Sequence, residues 1–265
     1  MVHSVDLNCD CGESFGPYVM GDDAAMLDIV TSANVACGFH GGDPDVMAAT
    51  FALAQARGVA VGAHPGFQDL AGFGRRRIPH TAAEIERLVA YQIGAAQALA
   101  AYAGHRITYV KAHGALSNIA MAEPDAARAI ANAVRAVDPD LALLAIAGTE
   151  LERAGAAAGL SVAREIYADR GYTDAGLLAP RGTPGALLHD PGEAATRAVA
   201  MVEEGAVITL CGKRVPVGID SICVHGDGAS AVAMARAVRA ALEAAGLAVR
   251  AFTASFPLLE NALRA

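Results

Sequence analysis

The sequence predicts an α/β fold, a (β/α) barrel built as one domain over residues 1–265. Three observations carry that expectation. Short β-branched or apolar runs alternate with Gly/Asp/His-rich turns and Ala-rich helical stretches, about seven times, more than a usual doubly wound sheet holds. No low-complexity linker, charge block or repeat divides the chain. Polar residues gather where the strands should end, the rim on which barrels carry their chemistry. A Rossmann-type sheet is the runner-up, but no Gly-x-Gly-x-x-Gly follows the first strand.

The elements follow in order. Strands are expected at residues 2–9, 32–37, 59–63, 107–110, 141–146, 161–166 and 221–224. Helices are expected at 43–57, 82–103, 124–137, 149–158, 191–204 and 229–245. Thr81 stands three residues before Glu84 and Thr149 three before Glu152, the spacing of a capping box. Gly58, Gly104, Gly159 and Gly246 stand where helices should stop. Residues 207–217 break the rhythm, and two short runs about Gly212-Lys213 read as a hairpin.

Composition bounds the function. With 54% hydrophobic and 18% charged residues the chain can bury a large core and is not disordered. A net charge of −8 argues against nucleic acid or an anionic membrane as partner. No apolar run approaches the roughly 18–20 residues of a membrane span. The start, MVHSVD, lacks a basic and apolar signal, and five cysteines make no disulfide framework. A reduced, cytoplasmic protein is expected.

The first strand alternates Val5, Leu7 and Cys9 with Asp6, Asn8 and Asp10, and Glu13 follows. The second runs out into Asn34, His40 and Asp43; the third ends at His64. Lys111, His113 and Asn118 close the fourth. Glu165, Asp169 and Arg170 close the sixth, and His225 and Asp227 the last. One such residue is ordinarily structural, and Asp43 could be only a helix cap. So many strand ends bearing ionisable groups are better explained by an active site, because buried carboxylates and imidazoles must serve each other or a ligand.

Other motifs narrow the chemistry. His40, His64 and Asp10 are ligand types for a divalent metal, but no His-x-x-x-His pair accompanies them. Cys9-x-Cys11 is too short for a structural zinc site. Gly72-Phe73-Gly74 before three arginines is either an anion-binding loop or a solvated basic turn. Gly-x-x-x-x-Gly-Lys-[Ser/Thr] and Gly-x-Ser-x-Gly are both missing, which removes a Walker-type nucleotide site and a serine elbow. Cys37 stays open as a nucleophile. Lys111 and Lys213 are the two lysines of a chain that otherwise writes arginine. Burial could lower the pKa of Lys111 enough for proton transfer, or the residue could simply neutralise Asp6, Asp10 or Glu165.

At these same strand ends the sequence resembles the LamB/YcsF family. The matching stretches are DLNCDCGE (6–13), NVACGFHGGD (34–43), GAHPGF (62–67), GFGRR (72–76), VKAHGAL (110–116), EIYADRGYTDAGLLAPRG (165–182) and ICVHGD (222–227). They run in order over nearly the whole chain. Ala112 and Gln68 replace prolines, and Ser117 a tyrosine, of the family pattern; substrate fit is what these changes touch. The resemblance implies a barrel of seven or eight strands similar to the glycoside hydrolase/deacetylase superfamily. It also implies ATP-dependent 5-oxoprolinase activity, opening 5-oxo-L-proline (pyroglutamate) to L-glutamate, as one subunit working with subunits B and C. ATP is then expected mainly on the partner subunits.

On that reading Asp10 and Glu13 serve acid–base work, while His64 and His113 move protons or orient water. Lys111 and Arg181 hold a carboxylate or phosphoryl group. Asn8, His40, Asn118, Glu165, Arg170, His225 and Asp227 complete the substrate contacts. Two other readings stay open: a stand-alone metal-dependent amidase or deacetylase, and a non-enzymatic protein that binds lactams.

Overall fold

A computed structural model describes residues 4–226, 228 and 230–253. Asp227, Ala229 and the expected strand start at residues 2 and 3 lie outside the described residues. Six parallel strands follow one another around the barrel: β1 (Ser4–Cys11), β2 (Ser32–Ala36), β3 (Ala60–His64), β4 (Ile107–Val110), β5 (Ala142–Ile146) and β6 (Val162–Tyr167). An antiparallel hairpin of β7 (Ala206–Ile208) and β8 (Arg214–Pro216) interrupts, as expected about Gly212. Then β9 (Ser221–Val224) pairs with both β6 and β1 and closes a barrel of seven strands among the described residues. A short β10 (Ala248–Val249) adds to the start of β1.

The helices lie outside: α1 (Asp23–Leu27), α2 (Pro44–Arg57), α3 (Ala82–Tyr102), α4 (Gly114–Ala120), α5 (Pro124–Val137), α6 (Glu150–Ala157), α7 (Pro191–Glu204) and α8 (Ala231–Ala244). The strands' period of two decides what goes where. Leu7, Val35, Val61, Val110, Leu143, Ile166 and Ile222 point outward, fully buried with Phe51, Ile93, Ile130, Met201 and Val238 of the helices. Each such side chain contributes roughly 1.5–3 kcal/mol by leaving water. This layer is the main core.

The inward face is divided by depth. Tyr109, Ala142, Leu144 and Ala163 form an apolar plug at one level, closed by Phe252. Beside it the interior is polar. The Asp6 carboxylate accepts from Thr31 Oγ1 (2.7 Å), Ser32 Oγ (2.6 Å) and the Ser221 hydroxyl. Gly62 makes room for this packing, because a Cβ there would run into the Tyr109 ring.

Local chemistry mostly follows the sequence. Thr81 and Glu84 form the expected capping box. Gly58 ends α2 at φ 66° in the left-handed region, where a side chain would be strained. Thr149 makes no side-chain cap. Its hydroxyl donates to the Ile146 carbonyl (2.6 Å), while Glu152 accepts from the Gly148 N–H (2.6 Å). Asp43 caps α2, accepting from the N–H groups of Asp45 and Val46 (2.9 Å each).

Candidate active site

The C-terminal rim gathers three connected groups. The deepest is a floor of paired charges and amides. Lys111 Nζ stands 3.2 Å from Asp10 Oδ1 and 2.9 Å from Glu165 Oε1, with 3% of its side chain exposed. Asn8 Nδ2 donates to Glu165 (2.9 Å) and Ser221 Oγ (2.8 Å). Asn34 Nδ2 donates to Asn8 Oδ1 and Asp10 Oδ1 (2.8 Å each), and the Tyr109 hydroxyl donates to Asn34 Oδ1 (2.7 Å). Burial alone would raise the Asp10 carboxyl, but Lys111 and then His64 hold it well below the usual carboxylate range. Burial would lower Lys111, yet Asp10, Cys223 and Glu165 outweigh it and lift its pKa well above the usual value. Of the two roles the sequence left open for Lys111, the paired carboxylates and the raised pKa favour the counter-ion.

Beside the floor stands a group of imidazoles. Glu13, His40, His64 and His113 are all buried, and each offers a ligand atom within 4.8 Å of the others. His40 and His113 stack face to face, ring centroids 3.6 Å apart. Glycines permit the crowding: a Cβ on Gly66 would lie 2.7 Å from His40 Nδ1, and one on Gly74 2.7 Å from His40 Cβ. Among the described residues, His40 Nδ1 has no hydrogen-bond partner. Burial first, and the neighbouring imidazoles second, push His40 and His113 well below the usual histidine pKa. Neutral imidazoles with a carboxylate are the donor set that divalent metals take, and this group could hold one. Of the ligand types His40, His64 and Asp10 noted in the sequence, the two histidines stand in this group, and Asp10 Oδ1 lies beside it, 3.3 Å from His64 Nε2. Glu13 and His113 complete the group, while Asp10 is drawn to Lys111.

The third group faces these across the opening. His225 Nδ1 lies 2.6 Å from Asp169 Oδ2, and His225 Nε2 lies 3.4 Å from an Arg181 nitrogen. Burial would raise the Asp169 carboxyl, but His225 outweighs it and holds the pKa low. Between the groups is a pocket of about 290 Å³. Asp10, His64, His113, Asn118, Arg170, Arg181 and His225 line it, so seven of the expected site residues meet there.

The others sit elsewhere. Asn8, Lys111 and Glu165 belong to the floor, and Glu13 and His40 lie behind His64 and His113, so none of these five lines the pocket. Arg170 reaches the pocket, but its guanidinium donates to the carbonyls of Ala186 (3.1 Å) and Ala179 (2.6 Å), bracing the loop after β6. Burial pushes the Cys37 thiol up to about 12, which removes it as a nucleophile. Three lining residues with polar side chains were not expected there: Arg75, Ser117 and Tyr167. Arg75 was legible in the glycine-arginine loop, and Tyr167 lies two residues past Glu165 on the inward face. Ser117 stood out only as a departure from a pattern. A larger groove of about 710 Å³ beside α5 gathers no comparable group and is spanned by the exposed Arg77–Glu123 pair.

Fold and site together define a (β/α)-barrel protein with a polar, ionisable pocket on its C-terminal rim. The pattern of the LamB/YcsF family matches residues 5–256, and the chain belongs to that family. The A subunit of 5-oxoprolinase from Gluconobacter oxydans (strain 621H) is 63% identical over 250 residues, 94% of this chain and 98% of that protein. The crystal structure of the lactam utilization protein from Thermus thermophilus superposes with a TM-score of 0.89 at 49% identity. It covers 94% of this chain and all (100%) of that one. The catalytic domain of a peptidoglycan N-acetylglucosamine deacetylase from Eubacterium rectale, 13% identical, shares the fold with a TM-score of 0.53 over 97% of this chain and 91% of that one.

Proposed function

We propose that this chain is the component of an ATP-dependent 5-oxoprolinase that binds 5-oxo-L-proline and opens it to L-glutamate, working with subunits B and C. The observation that carries the reading is the two-sided pocket. The ionised Asp10 carboxylate and the imidazoles of His64 and His113 face an Asp169–His225 pair and Arg181 across a space suited to a small cyclic amino acid. Near-full-length likeness to proteins named for that substrate supports it.

The chemistry demands such a pocket. A lactam is a resonance-stabilised amide, and its ring closure is intramolecular and entropically favoured. Complete opening is helped by ATP, whose phosphoryl group on the amide oxygen would make the carbon a better target. Water then adds to that carbon and gives up a proton, the C–N bond breaks as the nitrogen takes one up, and a second water hydrolyses the resulting γ-glutamyl phosphate to L-glutamate and phosphate. Asp10, held ionised by Lys111, accepts the proton of the attacking water. His225, oriented through Nδ1 by Asp169, would serve as the acid toward the departing nitrogen in its imidazolium form, once the Arg181 guanidinium that now donates to Nε2 turns to the substrate. Arg181 and Arg75 pair with the substrate carboxylate or the phosphoryl oxygens. A divalent cation held by Glu13, His40, His64 and His113 would supply Lewis-acid polarisation there. The sequence has no Gly-x-x-x-x-Gly-Lys-[Ser/Thr] loop, which supports an ATP site mainly on the partner subunits.

The imidazole group also favours a second reading, a metal-dependent amidase that needs neither ATP nor partners. One assay separates the two: glutamate release from 5-oxoproline with and without ATP and subunits B and C. The first reading requires that omitting ATP or the partners stops release. Release by the isolated chain without ATP would replace it with the second.

A further inference from the structure

Hydrogen-bond direction assigns the protons of two of the imidazoles. His64 Nδ1 lies 2.8 Å from the Lys111 carbonyl oxygen, and His113 Nε2 lies 2.8 Å from the Phe73 carbonyl oxygen. A carbonyl only accepts, so each of those nitrogens carries the hydrogen. In the neutral ring the other nitrogen is then a bare lone pair. These two lone-pair atoms, His64 Nε2 and His113 Nδ1, face each other 3.2 Å apart. Two more acceptors crowd the same spot. Asp10 Oδ1 is 3.3 Å from His64 Nε2, and Glu13 Oε1 is 3.7 Å from His113 Nδ1. Glu13 Oε1 is also 3.3 Å from His40 Nε2. Asp10 Oδ1 has Lys111 Nζ at 3.2 Å, but the acceptors that converge between His64 Nε2 and His113 Nδ1 repel unless a cation stands there too.

The spacing already suits one. Four ligands about 2.0–2.1 Å from a tetrahedral ion stand roughly 3.3 Å from one another. The separations of 3.2, 3.3 and 3.7 Å fall close to that value, and because the parallel rings of His40 and His113 hold their lone pairs in separate planes, one of the two must turn to complete the set. The outer contacts are also those of metal-bound histidines, whose second ring nitrogen donates to a carbonyl and fixes the ring. One of these carbonyls is set by an unusual backbone. Phe73 has φ 54°, in the left-handed region, and is the single non-glycine residue there among those described.

We propose that Glu13, His40, His64 and His113 bind one divalent transition metal of borderline softness, Zn²⁺ or a close relative such as Co²⁺, and not Mg²⁺ or Ca²⁺. Three imidazole nitrogens and one carboxylate oxygen select that class, whereas Mg²⁺ and Ca²⁺ take oxygen ligands. His64 and His113 line the pocket as well, so the ion would border the substrate. The proposal deepens the lactam-opening reading and names the ion for the same pocket.

Metal uptake by the full chain tests it, with no ATP, substrate or partner present. After chelation and dialysis, titration with Co²⁺ should give one equivalent per chain and the strong visible band of a tetrahedral site. Zn²⁺ should displace the Co²⁺, and excess Mg²⁺ should not. His64→Gln and His113→Gln, checked for folding by circular dichroism, should each weaken binding roughly 100-fold or more. His80→Gln, outside the group, should leave it unchanged. In the unmodified chain, Zn²⁺ should shift the imidazole ¹⁵N resonances of His64 Nε2 and His113 Nδ1 and spare their partner nitrogens. This measurement needs no variant to fold. Absence of saturable Co²⁺ uptake would overturn the proposal, as would uptake that survives both substitutions. So would ¹⁵N spectra showing a proton shared by the two rings that Zn²⁺ does not displace. A metal-free chain that still supports ATP-driven glutamate release would sink the metal and leave the lactam reading standing. A metal-loaded chain inert with ATP and both partners would do the reverse.

Discussion

Lys111 and Asp10 form one ion pair, yet the two residues should respond differently to substitution. Lys111 is sealed between Asp10 and Glu165. Lys111→Met strands two buried carboxylates, and breaking a buried pair in this way costs about 3–5 kcal/mol. Urea unfolding should show that loss; an unchanged midpoint would mean Lys111 is not the counter-ion of the floor. Asp10 faces both ways, toward Lys111 and into the pocket. Asp10→Asn keeps its volume and leaves Lys111 paired with Glu165. Turnover of the reconstituted enzyme should then fall on the order of 10²–10⁴-fold, the usual contribution of a positioned proton acceptor, with little change in melting temperature. A loss of activity that merely tracks a drop in melting temperature would demote Asp10 to a structural role.

Among the elements, β3 depends on a missing side chain. Gly62→Ala would press a Cβ into the fully buried Tyr109 ring, whose hydroxyl is tied to Asn34. Overpacking of this kind costs about 1–3 kcal/mol, and differential scanning calorimetry should register it. Pairing Gly62→Ala with Tyr109→Leu should recover part of the loss; no recovery would place the strain elsewhere. The elements themselves were largely legible, because alternation in β1 and the terminal glycines of the helices are strong local signals. The short helices α1 and α4 were not: runs of 5 and 7 residues carry too few turns for a periodic pattern. The site was legible by face and not by depth. Asn8 and Asp10 share the inward side of β1, and the period of two says nothing about which lies under the pocket and which lines it. Glu13 joins the imidazoles only because the chain turns back after β1 through Gly12, at φ 66°.

For the whole molecule, the buried Asp6 sets an acid-side dependence of stability. Burial raises its pKa from 3.8 to about 6, against three hydroxyl donors that lower it. The folded state therefore holds this proton more tightly than the unfolded chain does. Its favourable contribution is complete below about pH 4 and is lost as pH rises through about 6, a change of roughly 3 kcal/mol. Asp220, whose carboxyl is held low by its bonds to Arg164 against the raising effect of burial, contributes with the opposite sign at lower pH. The difference between the parent chain and Asp6→Asn thus isolates Asp6. That substitution should flatten the pH 4–6 slope in unfolding experiments, and parallel curves would contradict the assignment. The ring of strands also has a consequence for how the chain is made. The first strand finds its second neighbour in β9, and the Ser221–Asp6 contact joins residues 215 apart. At about 5–20 residues per second on the ribosome, β1 waits roughly 10–40 s with one edge unpaired. Through that interval Asp6 lacks the hydroxyl of Ser221, and the outward apolar faces form an open sheet to which other nascent chains could add. Emergence of β9 from the ribosome, more than any earlier event in synthesis, is then the moment of commitment. Ribosome-arrested chains ending before residue 221 should be cut quickly by protease, and chains whose emerged portion includes β9 should resist.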